Sequence, residues 1–196
     1  MEKPSQLSVH HPSVIPAWLV PFLSLPFRRL WDSPQRIVLP LVRPGDRILE
    51  VGPGSGFFTV PMARALGADG RVFCVELQEA VQRRLRRTLE RRGLLDIVEV
   101  RACGEADLKV KDLEGAMDLV VAIHVLHEMP TPDRAIAQMA SVLRPGGRLL
   151  VREPKGHCPA SLFRSEVDWA IQSGLSLVPH PEGNRTGACV ALFEKR

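Results

Sequence analysis

The chain has 196 residues, 45% hydrophobic and 24% charged, a balance that suits one globular domain and excludes a disordered segment, a collagen-like fibre or a coiled coil. Lys and Arg number 26 against 22 Asp and Glu, for a net charge of +4. So mild a bias leaves nucleic acid, an anionic surface, an acidic ligand or no charged partner open until the arginines are placed.

In chain order, residues 14–27 come first and are almost continuously apolar. They are shorter than the roughly 20 residues a membrane-spanning helix needs, and Pro16, Pro21 and Pro26 interrupt them. Neither a signal peptide nor a membrane span is expected. Residues 1–32 read as an apolar segment in which Trp18, Leu19, Phe22, Leu23, Phe27 and Trp31 form a lid over a site. A partner or dimer surface is an alternative reading. So is shallow membrane contact, with Arg28 and Arg29 beside the aromatic residues.

From residue 33 onward, short β-rich runs alternate with helical patterns. Strands are expected at 47–51, 71–75, 98–102, 118–123 and 148–152, several of them apolar on consecutive positions, as in a parallel sheet covered on both faces. Helices are expected from near Phe57–Phe58, over 79–92 (Val81, Leu85, Leu89), over 132–143 (Ile136, Met139, Leu143) and over 159–173. Thr131 reads as an N-cap with Pro132 at the first helical position. Residues 175–179 and 188–193 read as a terminal antiparallel hairpin. The expected fold is α/β: a Rossmann-like, seven-stranded, mostly parallel sheet with helices on both faces, occupying residues 33–196. Cys74, Cys103, Cys158 and Cys189 are far apart, with no CxxC pair and no metal-ligand spacing. They read as free thiols, which suits a reducing, cytoplasmic setting.

The strongest motif is ILEVGPGSGFF at 48–58. A strand ends at Glu50–Val51, glycines follow at 52, 54 and 56, and a helix begins. Glycines permit a tight turn and close approach of a ligand to the main chain. A dinucleotide loop needs G-x-G-x-x-G, and Phe57 stands where its third glycine belongs. Acidic Glu50 before G-x-G-x-G, Glu76 at the end of the second strand, Gly104–Glu105–Ala106 after the third, Asp118 at the start of the fourth and LRPGGRLLVREP at 143–154 together resemble the class I S-adenosylmethionine (SAM) methyltransferases. Within them the chain is similar to small prokaryotic type 11 enzymes, akin to the ubiquinone/menaquinone-biosynthesis methyltransferases. HVLHEMP and REPKGH add to that likeness. The resemblance implies SAM as cofactor, held by Glu50, Gly52, Pro53, Gly54, Gly56, Glu76, Leu77, Glu105 and His124, with Glu76 on the ribose hydroxyls and Glu105 near the adenine amine.

In open α/β sheets the ligand lies beyond the strand C-termini. His124, His127 and Glu128 follow the fourth strand; Glu153, Lys155 and His157 follow the fifth. His127, Glu153, Lys155 and His157 are expected to bind or deprotonate the methyl acceptor, or else to form a structural ion-pair network. No metal is expected. AIHV stands where enzymes that methylate exocyclic amines of bases carry N/D-PP-Y/F, which weighs against that target. Arg83, Arg84, Arg86, Arg87, Arg91 and Arg92 cluster on one helix with Glu79 and Glu90 at pairing distance and no interleaved aromatic residue. A solvated helix face is the plain reading. The expected function is methyl transfer to a small, partly hydrophobic molecule. An RNA or protein methyltransferase docking through the basic helix, and a SAM-binding module without catalysis, are the alternatives.

Overall fold

The computed structural model describes residues 33–154, 156–181 and 189–196. The lid segment 1–32, Lys155 and most of the link between the last two strands therefore lie outside the described residues. Seven strands form one sheet in the order β3-β2-β1-β4-β5-β7-β6: β1 (Arg47–Val51), β2 (Arg71–Glu76), β3 (Val98–Ala102), β4 (Met117–Ile123), β5 (Leu143–Glu153), β6 (Leu175–Val178) and β7 (Cys189–Lys195). The first five pair in parallel, and β7 runs antiparallel between β5 and β6. The central strands β1, β2 and β4 are buried along nearly every position, whereas edge strand β3 alternates. That contrast is the one a sheet covered on both faces produces.

The helices are α1 (Thr59–Leu66), α2 (Glu79–Glu90), α3 (Pro132–Val142) and α4 (Ala160–Gln172). One core layer lies between the sheet and α1, α2 and a helical turn at Pro34–Ile37: Met62, Leu66, Leu85 and Leu89 pack against Ile48, Val72, Val121 and Leu150. The opposite layer joins Ile136, Met139 and Ala170 to Leu49, Val75, Ala122, Leu149 and Val151. Adjacent strand residues thus serve opposite layers, as the two-residue period requires. Among the described residues no helix is long and apolar enough to cross a membrane.

Several local expectations differ from the structure. α1 starts at Thr59, because the glycine segment continues as a turn in which the Gly56 amide bonds to the Pro53 carbonyl. Pro61 then sits in the first helical turn, where no amide donor is needed. β5 begins at Leu143, since its pairing with β4 runs Met117↔Leu143 and resumes at Leu119↔Arg148, leaving Pro145–Gly146–Gly147 in an irregularity of the ladder. The Thr131 hydroxyl precedes α3 but makes no cap hydrogen bond. On α2, Glu79 pairs with Arg83 at 2.5 Å, while Arg86 turns to the sheet, to the Val100 carbonyl and Gln82, rather than along the helix to Glu90.

Candidate active site

β1 leads by way of α1 to β2 on one side, and β4 by way of α3 to β5 on the other, so the connections part between β1 and β4. A crevice opens at that switch point. Its floor is tight. Gly52 has φ +70°, and a Cβ there would lie 2.7 Å from Val125 Cγ2 in the loop after β4. The two loops therefore meet through a side chain that only glycine admits. Gly54, at φ +55°, faces open space instead.

Glu50 is almost wholly enclosed. It is 4% exposed and its Oε2 accepts hydrogen bonds from Thr59 Oγ1 at 2.6 Å and, weakly, from Cys74 Sγ at 3.6 Å. Burial pushes this carboxyl up to about 7, against the lowering effect of the Thr59 bond. Glu50 thus ties the glycine turn to the start of α1 from beneath. Glu76 ends β2 half-buried, accepting the Gln78 amide at 3.0 Å, with the Leu77 and Gly54 amides also directed at it. Burial raises its pKa and these donors oppose the rise. Leu77 beside it is 38% exposed. Glu105 is exposed in the turn after β3, which is closed by the Gly104 amide on the Asp107 carbonyl at 2.7 Å. His124 leaves β4 with φ +57°, its amide bonded to the Arg152 carbonyl at 2.7 Å.

The other rim is made of side chains. His127 Nδ1 is hydrogen-bonded to Glu153 Oε2, and Glu153 Oε1 accepts the Leu126 amide at 2.9 Å. Glu153 is fully buried; His127 keeps 14% of its side chain exposed. His127 Nε2 stands 3.8 Å from Glu128 Oε1, too far for a hydrogen bond. Burial lowers the pKa of His127, but the bond and charge of Glu153, with Glu128 and Glu166 behind it, prevail and raise it above the ordinary imidazole value. Where Nδ1 carries the ring proton, it donates to the Glu153 carboxyl. Nε2 is then the basic nitrogen, in the manner of a carboxylate-oriented histidine base.

His127 and Glu153 are thus brought together, whereas His157 is exposed in the turn beyond β5. Two buried charged residues escaped the sequence reading, Arg152 at 2% and Glu166 at 1% exposure. Arg152 follows from strand alternation alone, as Glu153's neighbour on the opposite face. Glu166 shares the apolar stripe of α4 with Phe163, Val167 and Ala170, and an acid at such a position was the available signal. Among the described residues no group of three or more His, Cys, Asp or Glu is arranged to hold a metal.

The methyltransferase domain family matches residues 49–151. The ubiquinone/menaquinone biosynthesis C-methyltransferase UbiE of Teredinibacter turnerae is 34% identical over 125 residues, 64% of this chain and 49% of its own length. UbiE of Pseudomonas entomophila is 34% identical over 132 residues, 67% and 50% of the two lengths. The chain spans about half the length of the curated relatives it matches. Among solved structures, a SAM-dependent methyltransferase from Aquifex aeolicus superposes with TM-score 0.76 at 17% identity, covering 92% of this chain and 98% of that one. The [4+2]-cyclase SpnF superposes with TM-score 0.62 at 26% identity, covering 76% and 57%.

Proposed function

The chain belongs to the methyltransferase domain family and is a class I SAM-dependent methyltransferase, and we propose that its acceptor is a small, partly apolar molecule whose reacting atom must lose a proton. SAM, when bound, supplies an electrophilic methyl group on a sulfonium. The residues fit it: the open space at Gly54 is where a side chain would otherwise stand, and the Glu76 carboxyl is already oriented by backbone amides at the edge of that space. Gly52, Pro53, Gly54 and Gly56 form the cradle, Glu76 takes the ribose hydroxyls, Leu77, Glu105 and the His124 backbone border the base, and Glu50 holds the cradle in shape.

The observation that carries the acceptor reading is the His127–Glu153 pair at the ends of β4 and β5. Alignment of donor and acceptor alone supplies much of the acceleration, roughly 7–11 kcal/mol in favourable cases. A positioned base adds more only where the nucleophile carries a proton of high pKa. His127 Nε2 accepts that proton, and Glu153 keeps the ring oriented and stabilises the imidazolium. The C-methyltransferase relatives accord with this reading, since a carbon nucleophile must shed a proton.

The test is methyl transfer from labelled SAM to a panel of phenolic and quinol acceptors, alongside calorimetry with S-adenosylhomocysteine. His127→Ala lowers turnover by roughly 10²–10⁴-fold, the range for loss of a general base, and leaves S-adenosylhomocysteine affinity within about twofold. Full turnover in that variant overturns the base. A second reading has one observation behind it: Arg83, Arg84, Arg87 and Arg91 line a common shallow groove on α2. RNA affinity that falls steeply with salt and tracks these arginines would move the acceptor to a polymer.

A further inference from the structure

The turn after β3, residues 103–109, carries Glu105 and is shaped by hydrogen bonds. The Cys103 amide donates to the Glu76 carbonyl at 3.2 Å, which ties the turn to the end of β2. The Gly104 amide closes on the Asp107 carbonyl at 2.7 Å. The Lys109 amide donates to Asp107 Oδ1 at 2.8 Å, and Lys109 holds a φ of +54°, a left-handed conformation that a non-glycine residue keeps where its surroundings fix it. A further tie comes from a different element. Gln138 lies on α3, 30 residues along the chain, and its Oε1 accepts the Leu108 amide at 2.9 Å. Its Nε2 donates, more weakly, to the Ala106 carbonyl and to the Arg134 carbonyl of its own helix, each at 3.4 Å. One side-chain amide thus serves a main-chain donor and a main-chain acceptor of the same turn, as a carboxamide with both functions can. Leu108 itself is 3% exposed and belongs to the core layer that α3 helps to form.

We propose that Gln138 is a positioning residue for cofactor specificity: by holding the Leu108 amide and the Ala106 carbonyl it fixes the turn in which Glu105 meets the exocyclic amine of the cofactor's adenine. The inference rests on the reading in which Glu105 borders the base. A carboxylate is an acceptor, and the adenine amine is a donor. Hypoxanthine carries a carbonyl oxygen at the same ring position, so it sets an acceptor against an acceptor. The preference for adenine therefore depends on where the carboxylate stands, because a hydrogen bond weakens steeply with distance and angle. The Glu105 side chain is exposed, so packing does not place it; the main chain beneath it does. Connecting segments on a surface drift unless they are tied down. Gln138 ties this one to a helix that is itself packed on the sheet, and it acts through the main chain rather than on the base.

The experiment is calorimetry of the full chain with two ligands, S-adenosylhomocysteine and S-inosylhomocysteine, which differ in the base alone. The wild type prefers the adenine ligand by about tenfold or more, the worth of a hydrogen bond to a charged group. Gln138→Met keeps the length of the side chain and its helix propensity but removes both bonds to the turn. It cuts the preference by roughly threefold or more, weakening the adenine ligand and leaving the hypoxanthine ligand as it was. Gln138→Ala gives the same result and serves where the methionine variant does not fold. A merely structural Gln138 lowers the melting temperature, or weakens both ligands alike, and leaves the ratio of the two affinities unchanged. That unchanged ratio overturns the proposal. Glu105→Gln tests the underlying reading separately, since its amide can face either base. An unchanged ratio in Glu105→Gln removes the reading and the proposal with it. A lost preference in Glu105→Gln beside an intact one in the Gln138 variants defeats the proposal alone.

Discussion

The two rims of the crevice are built from different materials. The β1–β2 rim is main chain: three glycines within five residues, a turn closed by its own amides, and one carboxyl oriented by backbone donors. The β4–β5 rim is side chain: an imidazole from the loop after β4 bonded to a buried carboxyl at the end of β5, with a second buried carboxyl on α4 and a thiol before that helix within electrostatic reach. A backbone-built site is intolerant of volume, because any Cβ fills the space the ligand or a neighbouring loop needs. A side-chain-built site tolerates isosteric change but is governed by pH, because its geometry is held by charges in a dry environment.

The largest difference should appear in stability against pH. Glu166 has its native pKa raised from 4.5 to about 8, so the native state binds the extra proton. Stability from this group is therefore fully present below about pH 4.5 and is lost as pH rises to about 8, a decline of roughly 5 kcal/mol at 1.36 kcal/mol per pKa unit. Urea unfolding at pH 5 and pH 9 should show most of that decline removed in Glu166→Gln. Glu50, raised to about 7, has the same sign and a smaller total decline, complete near neutrality. An unchanged pH dependence in Glu166→Gln would erase the contrast between the rims.

Gly52→Ala comes next. Its Cβ would meet Val125 Cγ2 at 2.7 Å at a φ of +70°. Overpacking and left-handed strain together should cost about 2–4 kcal/mol, read as a lowered melting temperature and more than tenfold weaker SAM binding by calorimetry. Val125→Ala in the same chain should recover part of the loss, since it removes the clash but not the strain. Gly54→Ala meets nothing within 4 Å and should cost only about 1–2 kcal/mol in strain, while still weakening SAM binding. Equal stability losses at the two glycines would show that strain, not the meeting of the loops, governs this rim.

Thr59→Ala leaves the buried Glu50 without its 2.6 Å donor. It should destabilise the protein by about 1–3 kcal/mol and raise the Glu50 pKa further, seen as a melting curve whose pH dependence reaches above neutrality. The smallest effect is expected on α2. Arg84→Glu with Arg87→Glu, both exposed, should change stability by less than about 0.5 kcal/mol and leave transfer to a small acceptor unaltered. A large loss of turnover there would favour the polymer reading.

The legibility of the two rims in the sequence follows from the same difference. The strands β1 and β3 fall at the residues their patterns predict, and the others shift by one to five residues at an end. The glycine rim could be read because its elements are contiguous: turn, strand end and helix start follow one another within 48–59. His127 and Glu153 could be placed at neighbouring strand ends once the strand order was inferred, but their hydrogen bond could not. Glu166 was hidden by its surroundings, since an acid on an otherwise amphipathic helix reads as solvated until α4 is seen to pack against α3, β6 and β7. Thr131 and Arg86 teach the same point at smaller scale. A capping residue and an i,i+4 pair are local expectations; Thr131 makes no cap bond, and Arg86 bonds the Val100 carbonyl of β3.

The sequence by itself determined what periodicity and backbone chemistry determine: the alternation of strands and helices, the doubly covered sheet, and a glycine turn after β1. Those features depend on neighbours within a few residues, and so they are written locally. Only the tertiary structure decided that Glu50 bonds Thr59, that Val125 closes on Gly52, and that Glu166 is buried with no hydrogen-bond partner among the described residues. Each of these depends on desolvation and on distances between segments far apart in the chain. Burial and charge proximity become defined only when the sheet has assembled.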